Sequence, residues 1–184
     1  WGWTWIDEAP WGFAPFHYGR WLHIRGRWAW VPGTRAARPI YAPALVAWVG
    51  DGGWSLSVGS GPAVGWFPLG PREVFLPSYR CSDHYLRRVN AVHVRRDAID
   101  RAAREGGGRR FAYSHRPDAV TVVASTTFRS GRSIDPVSTR PPRETDLRGA
   151  PVSPRSPDIR RPAAPDSRPR PGEAPGVAPE SAGP

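Results

Sequence analysis

All ten tryptophans of this 184-residue chain fall between Trp1 and Trp66. With no methionine anywhere, those indoles must supply core area, a recognition surface, or both. The densest stretch is residues 18–32, YGRWLHIRGRWAWVP. Trp21 and His23 alternate there with Leu22 and Ile24, and after Arg25-Gly26 the residues Trp28 and Trp30 alternate with Ala29 and Val31. A period of two predicts strands. Gly26 can take the positive φ that a tight reversal needs, and Pro32-Gly33 ends the second strand, so this stretch is expected to be one hairpin with tryptophan on both arms.

Along the rest of the chain, alternation of Trp1, Trp3 and Trp5 with Gly2 and Thr4 predicts another strand, closed by a turn at residues 7–10. Residues 11–18 form an aromatic run broken by Pro15, which suits an edge strand or a bend. Two passes of a glycine, arginine and tryptophan phrase suggest stacked hairpins rather than one large sheet. Residues 38–49 lead through Pro39 and Pro43 into a buried strand, and residues 51–53 turn into an alternating strand over residues 54–58. A third pair is expected between residues 64–69 and 73–76, across Gly70-Pro71-Arg72. Ser82 is placed to cap a short helix through Val89. Residues 97–105 have helical propensity, with Asp97 as N-cap and a glycine run as terminator, but mostly alanine to bury. Residues 119–124 read as the last strand, followed by a turn carrying Phe128 and ended by Gly131.

The fold class expected is therefore mainly β, short antiparallel hairpins in a small tryptophan-rich sheet with one or two short helices. It divides into a tryptophan-rich module at 1–90, an arginine-rich helical or linker segment at 91–118, a strand and turn at 119–134, and a tail at 135–184. That tail holds 13 of the 23 prolines and no aromatic residue. Its few apolar groups predict disorder with polyproline II character, since burial would not offset the entropy of ordering it.

The formal charge of +10 is carried entirely by arginine. Residues 72–116 hold 11 arginines against five acids, a net +6, and Arg87, Arg88, Arg95 and Arg96 are the candidate contacts to an anion. The plain alternative is a solvated face in a chain whose codon bias favours arginine, because net charge bears first on solubility and non-specific binding. A basic nucleic-acid binder working through residues 87–110, helped by Phe111 and Tyr113, is the alternative function. No RRM, KH or helix-turn-helix pattern accompanies those arginines.

No catalytic constellation emerges. Asp7 and Glu8 are adjacent and point apart, unlike a glycosidase pair facing across a sugar. Cys81 and His84 have no orienting third group, and no G-x-S-x-G, H-E-x-x-H or papain-like signature is present. The five histidines lack metal-ligand spacing, and the glycine run at 106–108 has neither a preceding strand nor a Walker lysine. The expectation is a non-enzyme without metal or cofactor. No run of 18 apolar residues predicts a membrane span. The sequence starts in mid-pattern at Trp1, as though cut from a longer precursor. Trp21, Trp28, Trp30 and Tyr18 form the candidate aromatic surface for sugar rings or peptide prolines, though most tryptophan area is expected in the core.

Five phrases in order, WGWTWIDEAPWGFAPFHYGRW, GRWAWVPG, RPIYAPALVAWVG, VGWFPLGPREVFLPSYRCSDHYLRRVN and DAVTVVASTTFRSGRSI, resemble the DUF6600 family of exported bacterial proteins, often described as FecR-like after a β-rich domain that precedes the tryptophan-rich part. The resemblance implies a periplasmic or secreted, envelope-associated location and a non-enzymatic role. The tryptophan strands add the expectation of a non-catalytic binding or scaffolding module, with a cell-wall glycan or a protein as partner. The chain departs from the family pattern at residues 91–110, which are arginine and alanine rich where relatives carry Asn, Val and Thr, and it contains no FecR-like domain.

Overall fold

The structure, a computed structural model, describes residues 3–33, 38–50, 54–59, 61–106, 110–134 and 139–157. In chain order the elements are α1 (Phe13–His17), β1 (Arg20–Ile24), β2 (Arg27–Val31), β3 (Val46–Val49), β4 (Ser57–Val58), β5 (Gly61–Pro68), α2 (Asp83–Asn90), α3 (Arg96–Glu105), β6 (Thr121–Ala124), α4 (Ser125–Ser130), α5 (Glu144–Leu147) and β7 (Val152–Ser153). All strand pairs are antiparallel. β1 and β2 make a separate hairpin, and the other five strands form one sheet.

The hairpin is the one its alternation predicts. Ile24 pairs with Arg27, so the turn is Arg25-Gly26, with φ of 49° and 78°. Two positive φ values in a two-residue loop make a primed turn whose twist matches the strands it joins. Trp21 faces Trp30 and His23 faces Trp28, which places those four rings on one side of the ribbon.

Strand β5 is the centre of the sheet. It pairs with β3 from Gly65 to Pro68 and with β6 from Ala63 to Trp66, while β4 caps its start and β7 lies on the far edge of β3. Alternation sorts its side chains into two layers. Ala47, Val49, Ala63, Phe67 and Val122 join one buried cluster with Leu45, Phe75, Val89, Phe111 and Leu147. Trp48, Val64, Trp66 and Val123 form the opposite layer. With apolar groups on both faces, β5 reads as a nearly continuous apolar run.

Several elements differ from the sequence reading. Residues 3–9 form no strand. Trp5 instead donates one backbone bond to Pro43 O, at 2.9 Å, and Trp1 lies outside the described residues. Residues 13–17 are helical despite Pro15, because a proline in a first turn removes an N–H that has no partner inside the helix. The two tryptophan phrases meet in one hairpin, β1 against β2, rather than in stacked ones. β4 pairs with β5 rather than β3, residues 51–53 lie outside the described set, and residues 73–76 carry no strand. The chain there serves Glu73, whose carboxylate accepts from Gly70 N and Ala112 N, both at 2.6 Å. Ser82 does cap α2, accepting from Tyr85 N. In α3 the N-cap is Arg95 rather than Asp97, Gly106 closes the helix in the left-handed region, and Ile99 and Ala102 are buried. In the 91–118 segment Phe111, Tyr113 and Ser114 are buried as well, which ties it to the core.

The expected disorder of the tail does not hold for residues 139–157. Leu147 is fully buried, and the Asp146 and Leu147 carbonyls accept from Trp54 Nε1 at 2.9 Å and His115 Nδ1 at 3.1 Å. Val152 and Ser153 pair with Val49 and Trp48 on the open edge of β3. A few anchors suffice there because the edge supplies unpaired backbone groups, and a composition average conceals them. Residues 135–138 and 158–184 lie outside the described set.

What holds the hairpin to the sheet is a buried arginine. Arg20 is 1% exposed. Its guanidinium donates to Gly19 O, Glu73 O and Asn90 Oδ1, at 2.8, 3.2 and 2.9 Å. Asn90 also accepts from Phe75 N and donates to Phe75 O and Leu86 O. Burial pulls the guanidinium down to about 10 while the Glu73 charge opposes the shift, so Arg20 stays protonated at neutral pH. Asn90→Ala would leave that charge short of an acceptor, at a cost of about 3 kcal/mol. Arg20→Met, which removes the charge itself, is expected to cost less, and urea unfolding giving the reverse order would contradict this account.

The neighbouring His93 is driven down to about 4, chiefly by burial, then by the Arg20 charge, against a raising hydrogen bond to the Pro32 backbone. A histidine whose folded pKa lies below the unfolded value is neutral in the fold while the unfolded chain protonates first. Its contribution is therefore present above about pH 6.5 and is lost as pH falls from there to about 4. Because the ring is half-buried and partly screened, the loss is of order 1–2 kcal/mol. His93→Gln should remove that slope, read as the difference between the two proteins' unfolding free energies across this range.

Candidate functional site

The two layers of the sheet are covered unequally. The layer containing Phe67 is sealed by the loop after β5, α2, the 110–120 segment and Leu147. The layer containing Trp48 and Trp66 meets the extended segment at residues 3–9 and the 128–134 segment that ends α4, with Pro154 and Ser156 beside Trp48. Between these lies an open groove of about 1000 Å³, walled by Trp3, Trp5, Trp48, Trp66, Phe128 and Ile134.

The rings touch one another in a chain. Trp3 lies 4.3 Å from Phe128 by ring centroid, Phe128 lies 5.4 Å from Trp48 and 5.8 Å from Trp66, and Trp5 meets Trp66 edge-on at 5.9 Å. Trp48 and Trp66 are directly paired across β3 and β5, so the pairing register brings together two indoles 18 positions apart. Trp5 is aimed by its own polar handle, since Nε1 donates to Asp7 Oδ2 at 3.3 Å while Asp7 Oδ1 accepts from Ala9 N at 2.8 Å. That turn carries Ile6, which is 86% exposed, and Glu8 at the groove's rim. Arg132 lines the opposite side. Trp48 and Trp66 are 8% and 5% exposed and form the floor, so the ring faces open to a ligand are those of the half-buried Trp3, Trp5 and Phe128, with charge at the rim, an arrangement that suits stacking against an extended ligand.

The residues singled out from the sequence lie elsewhere. Trp28 packs edge-on against Tyr113 at 4.9 Å and His23 at 5.0 Å, and Trp21 is half-buried near Phe16. Trp30 is exposed, but its Nε1 donates to Tyr18 O at 3.0 Å. Tyr18 itself meets Phe13 and Tyr41. These four therefore belong to the hairpin and its support, while the groove uses tryptophans that a strand pattern alone could not bring together.

Of the candidate anion contacts, Arg87 and Arg96 share Asp100, at 3.1 and 3.9 Å, and Arg95 pairs with Asp97 at 2.9 Å. The Arg95 hydrogen bond holds the Asp97 carboxyl below its usual range. Arg88 is exposed on α2. This face presents a mixed array of both signs. Cys81 is exposed, and its thiol is pushed up by burial and by Asp83, partly offset by Arg155, opposite to an activated nucleophile. Among the described residues no three His, Cys, Asp or Glu side chains gather as metal ligands, and no helix is long and apolar enough to cross a membrane.

No curated protein and no solved structure matches the chain. Residues 1–73, which supply the hairpin, β3, the whole of the sheet's central strand β5 and the Trp3 to Ala9 wall of the groove, match the model of DUF6600, a family of unknown function.

Proposed function

We propose that this chain is a non-catalytic binding module of the bacterial cell envelope, working in the periplasm or outside the cell, with its ligand seated in the aromatic groove. The observation that carries the reading is the gathering of Trp3, Trp5, Trp48, Trp66 and Phe128 on one incompletely covered face of the sheet. An envelope location is what the family resemblance implies, and a cell-wall glycan or an exported protein is the ligand that such a location offers. Rings spread along an open groove present stacking faces to sugars or prolines alike. The acids and thiol singled out for chemistry are held in a turn or unactivated, which favours binding over catalysis. A nucleic-acid role has less behind it, since three of the four arginines proposed for it are paired with carboxylates.

Purified peptidoglycan tests this. Retention of the full chain should persist at high salt, because stacking depends little on ionic strength, whereas arginine contacts are screened. The Trp3→Ala, Trp5→Ala pair removes two rings from an extended segment without touching a strand, and should weaken binding by about 2 kcal/mol, roughly thirtyfold. Trp30→Ala should leave it unchanged. Retention that salt alone abolishes, or that the folded double variant keeps in full, would overturn the groove as the site.

A further inference from the structure

The chain leaves the described fold beside the groove. Ser156 N donates to Ser78 Oγ at 2.7 Å and Pro157 is buried, so the exit point is anchored. Pro154 and Ser156 line a small cleft with Trp3, Ala44 and Trp48. The same three residues line the groove. The exit point therefore lies in a cleft that shares a wall with the groove.

That segment has the chemistry such a surface recognises. Residues 160–171, RRPAAPDSRPRP, carry four arginines, four prolines and one acid. Pro162 and Pro165 have the P-x-x-P spacing that docks as a polyproline II helix into aromatic-lined grooves, a helix that binds at low entropic cost because it is preformed. From Pro157 to Pro162 is a reach of about 15 Å at roughly 3.1 Å per residue. Charge agrees as well. In a chain of net +10, the groove's rim carries the adjacent acids Asp7 and Glu8, against Arg132 among its described lining residues.

We infer that the groove is the docking site for residues 160–171 of the same chain, with prolines on the indoles and arginines toward Asp7 and Glu8. This rests on the groove being a ligand seat. An external ligand must then displace the segment, so the tail sets the affinity of the site. Tethering makes even a weak contact populated, because a link of a few residues supplies an effective concentration in the millimolar range.

The test uses the full chain carrying Cys81→Ser and a nitroxide on the thiol of Ala164→Cys, observed through the indole N–H signals of the tryptophans. Docking should broaden Trp3, Trp5, Trp48 and Trp66 selectively and spare Trp21, Trp28 and Trp30, and adding Pro162→Ala and Pro165→Ala should restore the lost signals. Equal intensity at all indoles overturns the proposal. So does broadening that is as strong when nitroxide and isotope are on different copies, which would assign the segment to a second molecule. The two proline substitutions, made in the unlabelled chain, should also raise retention on peptidoglycan several-fold. If retention is unchanged by them yet still falls with Trp3→Ala and Trp5→Ala, the tail does not dock and the groove remains a ligand seat. If the tryptophan pair has no effect either, both readings fall.

Discussion

A guanidinium with almost no exposure is a demanding thing to place in a small domain, and the arrangement around Arg20 follows from that demand. Stripped of water, its charge needs acceptors on several sides. They come from parts of the chain far apart: the Gly19 carbonyl beside it, the Glu73 carbonyl in the loop after β5, and the Asn90 side chain at the end of α2. Asn90 in turn holds both backbone groups of Phe75. The hairpin, the loop and the helix thus become mutually dependent through one side chain, and each must be in position for the others to be satisfied. Tyr113 adds a second tie, accepting from His23 N and donating to Trp21 O, so the 110–113 segment closes over the same junction.

With the hairpin fixed at one end, the sheet is left with two dissimilar faces. The Phe67 layer receives everything the junction brings with it, including Phe75, Val89 and Phe111. Among the described residues the Trp48 layer is covered by side chains from the 3–9 and 128–134 segments, with no whole element laid across it. Large flat rings suit an incompletely covered face, because a few indoles mask sheet area that would otherwise require a whole helix. Covering by rings rather than by an element leaves space between the rings, and the groove is that space.

The hairpin could be read from residues 20–31 alone because its turn, its register and its alternation are all local, and they agree. The helix from Ser82 and the αL stop at Gly106 were legible for the same reason. Residues 3–9 satisfy a strand pattern through alternating Trp3 and Trp5, but among the described residues their backbone makes one bond to another segment, Trp5 N to Pro43 O, and no ladder, and pairing, not pattern, makes a strand. The docked stretch at 139–157 was missed because its hold depends on Leu147 and on the free edge of β3, neither of which composition reveals. The buried role of Arg20 was invisible among 26 basic residues, since its acceptors lie 53 and 70 positions away. The groove needed the register of Trp48 against Trp66, which no local pattern encodes.

The tryptophans divide by what their indole N–H does. Trp30 spends it on Tyr18 O and Trp54 on Asp146 O, each fastening its ring to a distant part of the chain, so that these two act as structural ties. Trp5 gives its N–H to Asp7, two residues away. A bond so local fastens no distant element, but it sets the angle of the ring on a segment that has little other support. The turn at Asp7 is therefore more than a polar reversal: its carboxylate accepts from Ala9 N with one oxygen and from the indole with the other, which couples the orientation of the ring to the turn. Preorganisation of this kind lowers the ordering cost of binding, so an aimed ring contributes more to recognition than a ring free to rotate.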